Sequence, residues 1–403
     1  MGAAEEFRFD DLFAGLSREP DFDAPELQAY DAADGLILET AADAVREAEP
    51  GTVVVVGDRH GALTLGAAGV LGAAGIRTHQ DPLLGERALA RNAERLGLAE
   101  SYASLPLGPE LLSGARVVLL QLPRGLDALD EIAWEIARWS DPSVRVFAGG
   151  RVKHMTLAMN HVFARAFARV SAGLGKRKSR VLTVSDPVPS PGAPPFPKWG
   201  NDAALPFRVA AFGATFGGPT LDHGSRLLLA GLIPSEDVGG GAGSVRVSPR
   251  PEPEGPAAAP RRIVDLGCGN GVLAVSAAIA FPEAAVIATD QSAAAVAATR
   301  LTAEAAGVPD RVAVHRADAL EAVPDGWADL ILLNPPFHTG ATVHAGVAHR
   351  LIRACGRALA PGGELRIVFN SHLAYRPLVE QVVGETRQVA RDRTFTVLSA
   401  IRG

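Results

Sequence analysis

Two groups of residues in the second half of the chain have the types and spacing for chemistry at an amino nitrogen. The first is Asn334-Pro335-Pro336-Phe337, which follows the apolar run Ala328-Asp329-Leu330-Ile331-Leu332-Leu333. Two prolines after a strand fix a rigid turn and remove two backbone donors. What remains is rich in acceptors: the side-chain carbonyl of Asn334 and the backbone carbonyl of Pro335. An amino group conjugated to a ring or a carbonyl has a delocalised lone pair and is a poor nucleophile. Two acceptors holding its protons would orient it, favour rehybridisation and offset the developing positive charge. Phe337 offers a flat face on which an extruded base or an amide can stack. This chemistry needs no metal. His338 and His344 follow closely and receive no role.

The second group is Asp265-Leu266-Gly267-Cys268-Gly269-Asn270-Gly271, entered from Ile263-Val264. Glycines let a backbone turn sharply and approach a ligand with no Cβ in the way. The spacing is Gly-x-Gly-x-Gly and not the Gly-x-Gly-x-x-Gly of dinucleotide binders, and Val272 follows it. Asp265 would repel a pyrophosphate and suits a cationic ligand, such as one carrying an ammonium and a sulfonium. Asp290-Gln291 closes the next strand, where a carboxylate can accept from both hydroxyls of a ribose. Asp318, with Ala319 beside it, closes the third and could accept from an adenine amino group. A single acid at a strand end is commonly a helix cap. Three at successive strand ends ahead of Asn334 form a constellation.

These residues need a frame of parallel strands with helices between them. Strand patterns fall at Arg262–Leu266, Ala285–Thr289, Val312–Arg316, Ala328–Leu333, Glu364–Phe369 and Thr394–Ser399, with helical patterns in the gaps. In the first half Thr52–Val56 and Arg116–Leu120 are the clearest strands. A domain at 1–186 and another at 207–403 are expected, joined by a Pro-rich linker at 187–206. A second Gly/Pro-rich stretch, 234–260, reads as a mobile loop.

The halves resemble one another. Gly57-Asp58-Arg59-His60-Gly61 follows its strand as the later glycine turn does, and Gln80-Asp81 stands where Asp290-Gln291 stands. Gln121-Leu122-Pro123-Arg124 parallels Asn334 to Phe337. The first copy is expected to be inactive. Val55 replaces the motif acid, Arg59 the middle glycine and Gln80 the ribose acid.

Composition sets the outer bounds. The chain has 403 residues, 47% hydrophobic and 21% charged, enough for two packed cores. Its two cysteines, Cys268 and Cys355, exclude a cysteine-based metal cluster and a disulfide framework. Neither a leader pattern nor a span-length apolar run is present, so a cytoplasmic protein is expected. The net charge of −6 is unfavourable for binding nucleic acid. Yet no acid lies between Asp141 and Asp186, where Arg145, Arg151, Lys153, Arg165, Arg169, Lys176, Arg177, Lys178 and Arg180 fall. Such a run attracts a polyanion, or is simply a solvated basic helix.

The motif from Asp265 to Gly271 and the tetrapeptide from Asn334 to Phe337 resemble class I methyltransferases that modify amino nitrogens. The tandem layout is similar to ribosomal RNA guanine-N2 methyltransferases, in which a degenerate copy precedes the active one. Thr220-Leu221-Asp222-His223-Gly224-Ser225-Arg226-Leu227-Leu228-Leu229 and Asn370-Ser371-His372-Leu373-Ala374-Tyr375 also match. Leu122-Pro123-Arg124 and Gly149-Gly150-Arg151-Val152-Lys153-His154-Met155 resemble the large-subunit (23S) type more than the small-subunit (16S) type. The resemblance implies two tandem Rossmann-like α/β domains and S-adenosylmethionine as cofactor. Asp265, Gly267, Cys268, Gly269, Asn270, Gly271, Asp290, Gln291, Asp318, Ala319 and Asn334 would hold it. It implies catalysis by Asn334, Pro335, Pro336 and Phe337, no metal, and protein-free or partly assembled ribosomal RNA as partner. The first half would hold that RNA, through Arg151, Lys153, Lys176, Arg177 and Lys178. Other readings stay open: a 16S enzyme, a glutamine-N5 methyltransferase acting on a translation factor, a DNA adenine methyltransferase, or a non-catalytic RNA-binding assembly factor.

Overall fold

Alternating faces of its strands build each half of the molecule. In the computed structural model, which describes residues 9–21, 27–230, 232, 246–247, 259–335 and 342–403, the chain divides into two compact units, 1–196 and 197–403. The first unit contains α1 (Ala32–Arg46), β1 (Val53–Val56), α2 (Ala62–Gly69), β2 (Ile76–His79), α3 (Leu83–Leu96), β3 (Tyr102–Ser104), α4 (Pro109–Leu112) and β4 (Val117–Gln121). It continues with α5 (Leu126–Trp139), β5 (Arg145–Arg151), α6 (Leu157–Ala166), β6 (Phe167–Ala172) and β7 (Ser179–Pro187). Val54, Val56, Val118 and Leu120 enter one hydrophobic cluster, and Val53, Val55, Val117 and Leu119 the other. A strand buried on both faces must be apolar throughout, which is why these strands read as unbroken hydrophobic runs.

The second unit starts with a small ladder of β8 (Lys198–Gly200) and β9 (Val209–Ala211), followed by α7 (His223–Ala230) and β10 (Arg246–Val247). Then come β11 (Arg262–Leu266), α8 (Val272–Ala280), β12 (Ala285–Asp290), α9 (Ala293–Ala305), β13 (Val312–Arg316) and β14 (Ala328–Leu333). The unit closes with α10 (Thr342–Ala358), β15 (Leu359–Asn370), α11 (Arg376–Val382), β16 (Thr386–Arg391) and β17 (Phe395–Ile401). Ile263, Leu330 and Leu332 pack toward α8, whereas Val264, Leu266, Ile331 and Leu333 pack toward Ile352 and Cys355 of α10.

The first sheet has the order β3-β2-β1-β4-β5-β7-β6, and the second repeats it as β13-β12-β11-β14-β15-β17-β16 with β10 added at the edge. Both are doubly wound α/β sheets, parallel except for the closing strands. The order reverses between β1 and β4 and between β11 and β14, where such sheets open a crevice beyond the strand ends. The glycine turns, Gln121 and Asn334 all sit there.

Three stretches singled out in the sequence can be located. The stretch 187–206 is divided between the units, and it includes the strand β8. The basic run is not one helix: only α6 is helical, while β6 and β7 form a hairpin turned at Arg177 and Lys178, both at positive φ. The stretch 234–260 lies outside the described residues apart from β10 and 259–260. Among the described residues no helix is long and apolar enough to cross a membrane.

Candidate active site

β14 delivers Asn334 beside the end of β11, because Leu333 pairs with Leu266 in the parallel ladder. The Asn334 amide Nδ2 donates to Asp222 Oδ1 at 3.1 Å and to Ser225 Oγ at 3.0 Å. Both partners stand at the start of α7, where Asp222 also accepts from the Ser225 backbone N–H at 3.1 Å. With both amide hydrogens pinned, the orientation of the side chain is fixed. Its Oδ1 is buried and has no hydrogen-bond partner among the described residues. A buried acceptor left in that state costs roughly 1–3 kcal/mol, so the arrangement holds an acceptor in reserve. Gly224 permits it: a Cβ there would stand 3.2 Å from Asn334 Oδ1 and 3.4 Å from Nδ2. Pro335 is buried, and Pro336 and Phe337 lie outside the described residues.

The glycine turn has left-handed φ at Gly267 (79°), Gly269 (55°) and Gly271 (82°). Four of its five backbone N–H groups are consumed within the protein. Gly267 and Cys268 donate to the Thr289 carbonyl, Gly271 to the Cys268 carbonyl and Gly269 to Asp290 Oδ2. A phosphate site needs free N–H donors at a helix start, and here most of these are spent. A Cβ on Gly267 would meet nothing within 4 Å, and one on Gly269 only the Phe216 carbonyl oxygen at 3.9 Å. The turn therefore offers an open face with few donors, which suits a cation better than a pyrophosphate.

Asp265 is fully buried; its Oδ2 accepts from the Ala274 N–H of α8 at 2.9 Å, and its Oδ1 has no partner among the described residues. Burial pushes its pKa up to about 7, and the nearby Asp290 and Asp222 add to the rise. Asp290 accepts from Gly269 N–H and, through Oδ1, from Ser292 N–H at 2.9 Å. Gln291 is half-buried at the same strand end, and its carbonyl accepts from Arg316. Asp318 is ion-paired with Arg350, and Ala319 beside it is held at φ 47°, an uncommon conformation for a residue with a Cβ.

Two residues of the motif face the protein. Asn270 is buried, with Nδ2 bonded to the carbonyls of Gly218 and Thr220 at 2.8 Å each, so it ties that loop to the glycine turn. Cys268 is buried against the Thr299 hydroxyl, and burial drives its thiol pKa well up. Sequence reasoning gave no role to Asp222 or Ser225. Their signal was a cap pattern, Asp followed three residues later by Ser at the head of a helix. Nothing local ties such a cap to Asn334.

The basic residues of the first unit separate into two places. Arg151 and Lys153 line a cavity beyond β4 and β5. Lys176 and Arg177 sit on the hairpin turn and pair with Glu39 at 2.6 and 3.6 Å, and Lys178 neighbours them. Arg165 pairs with Asp130 and Arg169 with Asp186. A run without acids in sequence thus acquires them in space. Among the described residues no cluster of His, Cys, Asp or Glu side chains is arranged to hold a metal ion.

Comparison with known proteins gives this geometry a family. The RLMG N-terminal domain family matches residues 4–187, and the Methyltransferase small domain family matches 253–399. Ribosomal RNA large subunit methyltransferase G of Streptomyces coelicolor is 33% identical over 396 residues, covering 96% of this chain and 97% of its own length. The chain belongs to the ribosomal RNA large subunit methyltransferase G family. The family's Pseudomonas entomophila member is 31% identical and covers 97% of this chain and 99% of its own. A solved T. thermophilus 16S rRNA N2 methyltransferase, in complex with AdoMet and guanosine, is 20% identical. It has a TM-score of 0.68 and covers 96% of this chain and 100% of its own, so the two-unit fold is shared.

Proposed function

We propose that this chain transfers the methyl group of S-adenosylmethionine to the exocyclic N2 of a guanine in large-subunit (23S) ribosomal RNA. The observation that carries the reading is the buried, unpartnered Oδ1 of Asn334, whose amide hydrogens are held by Asp222 and Ser225. When bound, the cofactor supplies an electrophilic methyl on a sulfonium. Asp265, the open face of Gly267 and Gly269, and Asp290 form the place for it. The residues fit a cation because most donors of the turn are spent and one carboxylate oxygen of Asp265 is unpaired. Gln291, Asp318 and Ala319 border the same crevice.

Asn334 Oδ1 then accepts an N–H of the amine, and the Pro335 carbonyl is the second acceptor. Together they hold the nitrogen lone pair toward the methyl and stabilise positive charge as it grows. An amide oxygen does this without itself taking the proton. Phe337 gives the unpaired guanine a surface to stack on once it leaves the helix, since an amino group inside a stacked duplex is out of reach. The first unit contributes the RNA grip through Arg151, Lys153 and the turn at Lys176, Arg177 and Lys178. Protein-free or partly assembled subunits supply such an exposed base.

Nucleoside mapping by mass spectrometry of 23S RNA from cells with and without the protein tests this. Loss of one N2-methylguanosine, restored by the intact chain but not by Asn334→Ala, is expected. Unchanged 23S RNA with loss from 16S RNA, or with loss of a methylated glutamine, would replace the substrate.

A further inference from the structure

The degenerate first copy has kept a cavity where the second copy has its acceptor site. It measures about 300 Å³, at the lower end of the range for small-ligand pockets. Gln121 to Arg124 stand at its edge as Asn334 and Pro335 stand at the end of β14, and Arg59 occupies the position of Gly269. Arg59, Arg124, Arg151, Lys153 and His154 all line it. None of their side chains forms an ion pair or a hydrogen bond with a described residue. That sets them apart from Arg165, Arg169 and Lys176, whose charges are matched. His154 is held below the usual imidazole range, first by desolvation and then by the charges of Arg124, Lys153, Arg151 and Arg59, which places all four close together.

Asp31 lines the cavity, and Asp34, buried behind it, feels the charge of Arg59. Asp31 caps α1 by accepting from the Ala33 N–H, and Asp34 is buried against the Gln121 amide. Tyr30, Leu122 and Met155 give the cavity an apolar wall. Arg59 adds an independent observation: it holds φ 54°, which glycine adopts freely and arginine does not. A strained side chain aimed at a cavity is a mark of use.

We propose that this cavity binds one nucleotide of the RNA substrate, its phosphodiester gripped by Arg59, Arg124, Arg151 and Lys153 and its base or ribose laid on the apolar wall. Guanidinium groups match phosphate oxygens two at a time, which gives the grip direction as well as charge. S-adenosylmethionine is a poor occupant, since Val55 and Gln80 have replaced the acids that would meet its cationic groups. The first copy has thereby changed from a site for a cation to a site for an anion. This assignment rests on the proposed action on ribosomal RNA.

Binding of a fluorescein-labelled single-stranded RNA oligonucleotide to the full-length chain, followed by anisotropy across a salt series, tests it. In the triple variant Arg124→Gln/Arg151→Gln/Lys153→Gln the slope of log affinity against log salt should shrink by about two, near 0.7 per lost contact. Arg59→Gly should weaken RNA binding severalfold while raising the melting temperature by a few °C, about 2–4. Calorimetric affinity for S-adenosylmethionine should be unaltered in every variant, showing that the second unit is folded. Unchanged affinity and salt slope in the triple variant would overturn the proposal. If guanosine 5′-monophosphate binding depends on these residues while oligonucleotide binding does not, the occupant is a free nucleotide and the RNA assignment falls. If pocket-dependent RNA binding persists but 23S methylation is independent of Asn334, the functional reading falls and the pocket stands.

Discussion

In the second unit Asn334 reaches back to Asp222 and Ser225 at the head of α7. In the first, Gln121 at the same strand end reaches back to Asp34 near the head of α1, at 2.8 Å. The backbone beneath is almost unchanged, since φ runs 78°, 54° and 105° through Gly57, Arg59 and Gly61, against 79°, 55° and 82° through Gly267, Gly269 and Gly271. The loss of the motif acid was absorbed locally. Asp58 accepts from the N–H groups of Leu63 and Thr64 at 2.7 and 2.8 Å, doing for α2 what Asp265 does for α8 through Ala274. The difference is in what is left over. Both Asp58 oxygens are satisfied, whereas one oxygen of Asp265 and the oxygen of Asn334 are buried without a partner. Helix support and ligand binding are therefore separable tasks. At the motif acid and the strand-end amide, the copy expected to be active is the one that leaves an acceptor open.

The comparison breaks first at Asn334. Asn334→Ala should lower kcat by about 10²–10³, the usual loss when one group stabilising transition-state charge is removed, with S-adenosylmethionine affinity nearly unchanged by calorimetry. Asn334→Gln imports the residue of the first copy and should be almost as damaging. Full activity in that variant would mean that the two copies differ in function for another reason. Ser225→Ala removes one anchor of the amide and should cost only about threefold to tenfold in kcat, the worth of one hydrogen bond.

A smaller loss is expected from moving the first copy's arginine into the second. Gly269→Arg forces a side chain into left-handed backbone and projects it over the open face of the turn. Affinity for S-adenosylmethionine should fall at least about tenfold, which is 1.4 kcal/mol. An unaltered dissociation constant would remove the turn from the cofactor site.

The smallest effect concerns protons. Asp265 has its pKa pushed from 3.8 up to about 7 by burial. A cationic ligand favours the ionised carboxylate, so affinity should rise as pH climbs toward about 7 and then level off, with a proton released on binding below that point. For the protein without ligand the sign is opposite. A raised pKa means that the folded state binds more protons, so this contribution to stability is complete below about 3.8 and lost as pH rises through about 7. Asp265→Asn should flatten both profiles. Calorimetry in buffers of different ionisation enthalpy checks the release, and a proton count that is the same in wild type and variant would clear Asp265 of the role.

The chain order carried a good deal of this. β11 and β14 fall on the apolar runs that mark them, because central parallel strands covered on both faces need mostly hydrophobic residues. The hairpin β6–β7 and the strand β16 escaped notice for the opposite reason. Thr386–Arg391 mixes charged and apolar residues, and Phe167–Ala172 carries Arg169 and Ser171 among its apolar residues, so neither stands out as buried.

The sequence by itself determined the α/β class, the repeated halves, the family and the strand ends at which chemistry gathers. All of these depend on local types and spacing. Tertiary structure alone decided which polar groups are spent and which are free. Asp222 and Ser225 come to Asn334 from more than a hundred residues away, Glu39 reaches the basic turn from across the first unit, and Asn270 turns from the ligand face to a loop. Hydrogen bonding saturates each donor and acceptor once its partners are in place, and those partners are set by folding and not by sequence distance.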